Sequence, residues 1–317
     1  MKACVDLGGS KIAVSLAGDD VGAPGQPPAL LAWRAEPTAK TGAPDAVAQQ
    51  ILRMIAAACA EAGVRAQDLE AVGVSSCGPF VMIAGLIELA APNICGGLAG
   101  PARGLPNDWT RAPLEAPLRE KFADLRIAND GIGALQAERR WGALQGLDHC
   151  AYVTWSTGIG CGLCVDGQVL RGKHGNAGHA GHMFVSDNLD ALCGCGNIGD
   201  LEGLVAGNAL ARRFAADGYA DAAGVFSAAR AGDAQAVALV DELCRVMGRA
   251  LYNLVVTLDL ERISLGGGVF WQQRDYLLPR LQAFISGKLP ALTDGFLLVP
   301  AGLGERVGDF GALALVS

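Results

Sequence analysis

The sequence contains no apolar run approaching the ~18–20 uncharged residues that a membrane-spanning helix needs, so a helical membrane protein is not expected. It has no cluster of lysines and arginines either, and its net charge is −7. Neutralising a phosphate backbone requires clustered cations, which argues against a nucleic-acid surface. The opening residues MKACVDLGGSK pass straight into a strand-and-glycine pattern. They lack the apolar core and small-residue cleavage site of a secretory signal, and a cytoplasmic protein is expected. Disorder is excluded by composition, since 51% of the 317 residues are hydrophobic and 18% charged, enough for two domains with real cores.

Nor is there a disulfide framework. The ten cysteines of a chain of this class read as thiols. Cys4, Cys59, Cys77, Cys150, Cys161, Cys164 and Cys244 lie in apolar strand-like or helix-like runs and read as small buried hydrophobes. Cys95 lies in a loop. Cys193 and Cys195 stand in a glycine-rich turn that suits ligation. Two familiar phosphate-binding motifs are also missing: no turn has the P-loop spacing, and no GxGxxG opens a helix after the first strand.

What the chain does have is three other glycine turns: DLGGSK at 6–11, STGIGCG at 156–162 and LGGG at 265–268. Each offers backbone N–H groups that could line a phosphate. A single such turn is more often only a turn. Three in one chain, two of them strand–turn–strand, point to a nucleotide gripped from both sides. Period-two alternation predicts strands on either side of Gly8-Gly9 and of STGIGCG, with a third strand near 29–35 after a polar, proline-rich connection. Helical spacing of Val47, Ile51, Met54, Ile55 and Ala58 predicts a helix within 44–63. Strands are expected at 71–77, 125–128, 262–265 and 296–300, helices through 201–260 and at 308–316, and a loop over 92–113. The β-rich-then-α order occurs twice, which predicts two α/β domains with a cleft between them.

In this order and at this spacing the motifs DLGGSK, SSCGPF, AAPNICG, Asn129-Asp130, STGIGCG, GNAGHAGHM, CGCGNIGDLE and LGGG resemble those of the ROK family of sugar kinases and sugar-responsive repressors. That family lies within the actin-like ATPase superfamily. The resemblance implies two ribonuclease-H-like α/β domains, here 1–118 plus 300–317 and 119–299. It also implies phosphorylation of a hexose or N-acetylhexosamine hydroxyl with Mg-ATP, and a homodimer. By the same resemblance Asp130 is the general base, and Asn93, Asn129, His179, His182 and Glu202 hold the sugar. Asp6, Gly8, Gly9, Ser10, Lys11, Thr157, Gly158, Gly266 and Gly267 are expected around the nucleotide and its Mg²⁺. Read from spacing alone, Asp130 is equally an N-cap of the following helix, Asn93 a turn residue, and Glu202 a first-turn glutamate favoured by the helix dipole. Arg171 and Lys173 read as solvated charge.

The stretch GNAGHAGHMFVSDNLDALCGCGNIGDLE at 175–202 departs from the family pattern twice. The family's zinc motif resembles C-x-C-G-x-x-G-C with an upstream histidine. This chain has His182, Cys193 and Cys195, but Asp200 in place of the third cysteine. A carboxylate is an acceptable zinc ligand, so either zinc is held by these four residues or Asp200 instead caps the next helix. The second departure is His179 where ROK glucokinases usually carry glutamate. A neutral imidazole offers one donor and one acceptor, which places glucose itself in doubt. The His-x-Gly-His form is similar to that of bacterial N-acetylmannosamine kinases. A non-catalytic sugar-binding regulator is the alternative on the same fold. A DNA-binding repressor of the family would carry a helix-turn-helix ahead of the first hairpin, for which DLGGSK at residue 6 is expected to leave no room. A zinc hydrolase lacks a nucleophile or base at useful spacing.

Overall fold

The opening hairpin forms as its alternation requires. β1 (Lys2–Leu7) and β2 (Lys11–Ala17) pair antiparallel, and Gly8 N donates to Lys11 O at 2.9 Å across the turn. The computed structural model describes residues 1–18, 25–100, 103–187, 191–215 and 217–317. Residues 19–24, inside the expected proline-rich connection, lie outside them. β3 (Leu30–Pro37) pairs antiparallel with β2, and α1 (Ala46–Glu61) buries Val47, Ile51, Met54, Ile55 and Ala58 in the core beneath this sheet. β4 (Ala71–Ser76) then runs parallel to β1.

A small antiparallel sheet of β5 (Phe80–Ile83), β6 (Leu86–Leu89) and β7 (Ala112–Pro113) comes next. β7 falls inside the stretch expected to be only loop, because its two residues take their ladder from β6 and carry no alternation of their own. After α2 (Glu115–Arg119), β8 (Leu125–Asn129) pairs parallel with β4 and completes the order β3-β2-β1-β4-β8. β8 lies beyond the expected division at residue 118, and its backbone groups are paired with β4 of the first sheet.

α3 (Asp130–Trp141) leads out of β8. β9 (Cys150–Trp155), β10 (Ile159–Val165) and β11 (Gln168–Val169) form a second antiparallel meander. The helices α4 (Leu201–Val205), α5 (Gly207–Ala215), α6 (Ala222–Arg230) and α7 (Ala234–Leu258) follow. β12 (Arg262–Gly266), α8 (Gly268–Ile285), α9 (Pro290–Thr293) and β13 (Leu297–Pro300) finish the sheet in the order β11-β10-β9-β12-β13. Both sheets therefore share one plan, three antiparallel strands followed by two parallel ones. The larger apolar core lies between the second sheet and its helices, and the seven cysteines read as buried hydrophobes are buried.

α10 (Val307–Ala314) returns to pack on α3 and β1. α3 also packs on β10, which places it between the two sheets. Glycine permits both approaches: a Cβ on Gly311 would lie 3.1 Å from the Gly133 carbonyl carbon, and one on Gly131 would lie 2.5 Å from Cys161 O. At the far end of α3 the fully buried Glu138 carboxylate accepts from Ala143 N, Gly302 N and Leu303 N, each at 2.9 Å. This ties the helix to the chain leading into α10. Among the described residues no helix is long and apolar enough to cross a membrane.

Candidate active site

Asp130 begins α3 at the end of β8, so a parallel strand and a helix start aim it into the cleft between the sheets. Asn129 is the N-cap, and its side chain accepts from Gly131 N at 3.0 Å. Asp130 Oδ1 accepts from the same N–H at 2.8 Å. The capping reading of the sequence thus belongs chiefly to Asn129, and a second carboxylate oxygen of Asp130 is left to face the cleft. Burial, with Glu202 as a nearby like charge, pushes the Asp130 carboxyl up to about 6. Burial together with Asp130 and Asp309 pushes Asp6, at the end of β1, up to about 7.

A cavity of about 600 Å³ is lined by Asp6, Gly8, Gly9, Asn93, Asn129, Asp130, Thr157, Gly158, His179, His182 and Glu202. The expected sugar-binding residues are all on its wall. Gly9 passes so close to Asn93 that a Cβ there would lie 2.1 Å from Asn93 Nδ2. The histidines owe their placement to glycine. A Cβ on Gly178 would lie 1.9 Å from Cys161 O, and one on Gly181 would lie 2.3 Å from Ile159 O. The GHAGH loop can therefore press onto β10, and its short 3₁₀ turn, Ala180–His182, stacks His179 and His182 with ring centroids 6.2 Å apart. His179 Nδ1 lies 3.0 Å from Asn176 O. A carbonyl only accepts, so Nδ1 carries the proton and Nε2 is left as an acceptor. Burial holds the His179 pKa below its usual value. Glu202 Oε2 accepts from Ile159 N at 3.0 Å, while Oε1 lies 3.8 Å from Arg103 Nη2.

Two further cavities continue from this one. The first, about 340 Å³, shares Asp6 and Asp130 with the large cavity and reaches Gly267, Gly268 and Gly308. The second, about 230 Å³, continues past Gly268 and Thr157 to Phe226, Gln272 and Gln273. The first passes the N-terminus of α8, where Gly267 has φ +88°, a conformation that favours glycine. Helix N-termini favour phosphate groups. Asp130 thus stands at the junction of a large polar cavity and a channel suited to a phosphate chain. Gly266 packs instead against Tyr152, with room for no Cβ. Ser10 lines only an adjoining side pocket. Lys11 is exposed, with its ammonium 5.9 Å from the Trp33 ring centroid, and lines neither the large cavity nor its two continuations.

The zinc-motif residues converge. One ligand atom from each of His182, Cys193, Cys195 and Asp200 lies within 4.8 Å of the others. Asp200 Oδ2 is 3.0 Å from His182 Nδ1, and the Cys195 and Cys193 sulfurs are 3.7 and 4.0 Å from the same nitrogen. Such separations suit tetrahedral ligation by two thiolates, an imidazole and a carboxylate. Asp200 Oδ1 meanwhile accepts from Gly203 N at 2.7 Å and caps α4. The sequence posed capping and ligation as alternatives. The side chain is placed for both, one oxygen each.

The match to the ROK family runs over residues 2–317. The chain belongs to the ROK family. A glucokinase of Halalkalibacterium halodurans is 34% identical over 225 residues, 66% of this chain and 68% of that protein. An N-acetylmannosamine kinase of Escherichia coli O139:H28 is 31% identical over 271 residues, 84% of this chain and 82% of that protein. Among solved structures, the ROK family glucokinase from Streptomyces griseus in complex with glucose and AMPPNP has a TM-score of 0.71 at 27% identity, covering 98% of this chain and 97% of that one. The fold of this ROK protein is accordingly the two-domain actin-like ATPase fold.

Three residues around the candidate site escaped sequence reasoning. Asn176 exchanges two 2.8 Å hydrogen bonds with the Phe80 backbone and so joins the histidine loop to the small sheet. Its place in GNAGH was the available sign. Arg103 and Lys40 reach the site from loops, and nothing in their local sequence marks them.

Proposed function

We propose that this ROK protein transfers the γ-phosphoryl group of ATP to a hydroxyl of a hexose or N-acetylhexosamine, with Asp130 as general base. The observation that carries the assignment is the position of Asp130, shared by the large cavity and the channel toward α8. A sugar in the former presents its hydroxyl to the carboxylate, and the nucleotide phosphates occupy the latter. A carboxyl pushed up to about 6 is ionised at neutral pH yet basic enough to take the hydroxyl proton as the new P–O bond forms. Asn129, Asn93, His179, His182 and Glu202 surround the ring, with Glu202 fixed by Ile159 N. Thr157 and the Gly267-Gly268 turn flank the nucleotide path.

Asp6 fits the Mg²⁺ role. Its buried carboxylate is crowded by Asp130 and Asp309, the hard oxygen chemistry that a divalent cation relieves. Mg²⁺ bound there supplies charge neutralisation for the phosphates. Zinc at His182, Cys193, Cys195 and Asp200 would order the loop that carries Glu202. The neutral His179, a single acceptor, favours an N-acetylhexosamine over glucose. The family resemblance carries the expectations of a cytoplasmic enzyme and a homodimer, and light scattering tests the latter. A coupled assay with ATP against hexoses and N-acetylhexosamines tests the activity; no phosphoryl transfer to any of them would reject it.

A further inference from the structure

A side pocket of about 330 Å³ opens from the sugar cavity, sharing Gly9, Asn93, Arg103 and Glu202 with it, while Asp130 does not line it. Three cations, Lys40, Arg103 and Arg212, line this pocket in a protein of net charge −7. The N-terminal turn of α5, with Asn208 and Ala209, contributes the positive end of its dipole to the same wall. The cations are underpaired. Arg103 lies 3.8 Å from Glu202 Oε1, the one carboxylate in the lining. Lys40 Nζ donates to Asn93 O at 2.8 Å and Arg212 to Leu192 O at 2.9 Å. Among the described residues neither Lys40 nor Arg212 has a carboxylate partner. Lys40 is half-buried, and burial together with the neighbouring Arg103 lowers its pKa, as expected of cations gathered without a counter-charge.

We infer that the substrate is a hexose or N-acetylhexosamine bearing an anionic substituent, whose phosphate ester or carboxylate sits among Lys40, Arg103 and Arg212 while a hydroxyl elsewhere on the ring reaches Asp130. This rests on the kinase reading of the site and narrows it. A neutral hexose would leave the side pocket to water, whereas an anion there would meet charge-assisted donors from three sides. The substituent lies toward Asn93 and Glu202, away from the accepting hydroxyl.

The test compares glucose with glucuronate, glucose 1-phosphate and glucose 6-phosphate. Binding is read by calorimetry without nucleotide, and phosphoryl transfer by release of ADP, on the wild type, Lys40→Met and Lys40→Arg. At least one anionic sugar should bind tenfold or more tighter than glucose. That preference should weaken with added salt, fall by tenfold in Lys40→Met and largely return in Lys40→Arg. The carboxylate and phosphate arms identify which anion is read. Equal or weaker binding of all anionic sugars, or a preference indifferent to Lys40→Met, overturns the inference whatever the turnover. Anion-selective binding without transfer to any sugar instead rejects the kinase reading alone.

Discussion

Replacing Asp130 by Asn separates catalysis from folding. Asparagine keeps the oxygen that accepts from Gly131 N and nearly the same volume, and it removes the base. Turnover should fall by at least ~10²-fold, the scale of general-base loss, with sugar binding retained. Stability should move the other way. The wild-type carboxyl is pushed from 3.8 up to about 6, a displacement equivalent to about 3 kcal/mol against the ionised form. Asp130 keeps some contact with the cleft, and solvent screening reduces the expected effect to about 1–2 kcal/mol. The folded state holds the proton more tightly than the unfolded chain. The penalty is therefore absent below about pH 4, accumulates up to about pH 6 and is complete at pH 8. Asp130→Asn should melt roughly 1.5–3 °C above wild type at pH 8 and close to it at pH 4. A coupled kinase assay and thermal melts at the two pH values read both effects. Turnover within tenfold of wild type would refute the base assignment, and a lowered Tm at pH 8 would refute the buried-charge argument.

Wild-type kcat/KM should decline as pH drops through about 6, because the proton-accepting form of Asp130 is lost; a profile flat down to pH 5 contradicts this. His179→Glu replaces one acceptor by a carboxylate that accepts from two hydroxyls, and should shift kcat/KM toward glucose over N-acetylmannosamine by about 1–3 kcal/mol. An unchanged ranking would mean that His179 does not read the sugar. Zinc held partly by Asp200 should be stripped by dialysis against EDTA, and Asp200→Cys should retain it at a cost of about 1 kcal/mol for the lost α4 cap. One zinc per wild-type chain surviving that dialysis, measured by elemental analysis, contradicts the first expectation. Glu138→Gln turns one of three carboxylate-accepted N–H bonds into a donor–donor clash. It should cost about 1–3 kcal/mol in chemical denaturation, and an unmoved midpoint would show that the tie is dispensable.

Much of this protein was determined locally. Period-two alternation and Gly8-Gly9 specified the first hairpin, helical spacing specified α1, and the GNAGHAGHM and CGCGNIGDLE motifs carried His179, His182, Cys193, Cys195, Asp200 and Glu202. These features depend on neighbours a few residues apart, where backbone preference and side-chain period act directly. Folding decided what depends on distant partners. β7 exists because β6 lends it a ladder. The capping role passed to Asn129, and Asp200 was given two oxygens with separate duties, only once β8, α4 and the histidine loop were in place. Lys11, expected beside the nucleotide from the family resemblance, follows the strand alternation out to Trp33. Lys40, Arg103 and Arg212, scattered over three unmarked segments, become one cationic pocket only because the fold brings two loops and α5 to the same edge of the cleft. Charge in a sequence is a sum, whereas its effect falls off with distance, and the fold alone sets those distances.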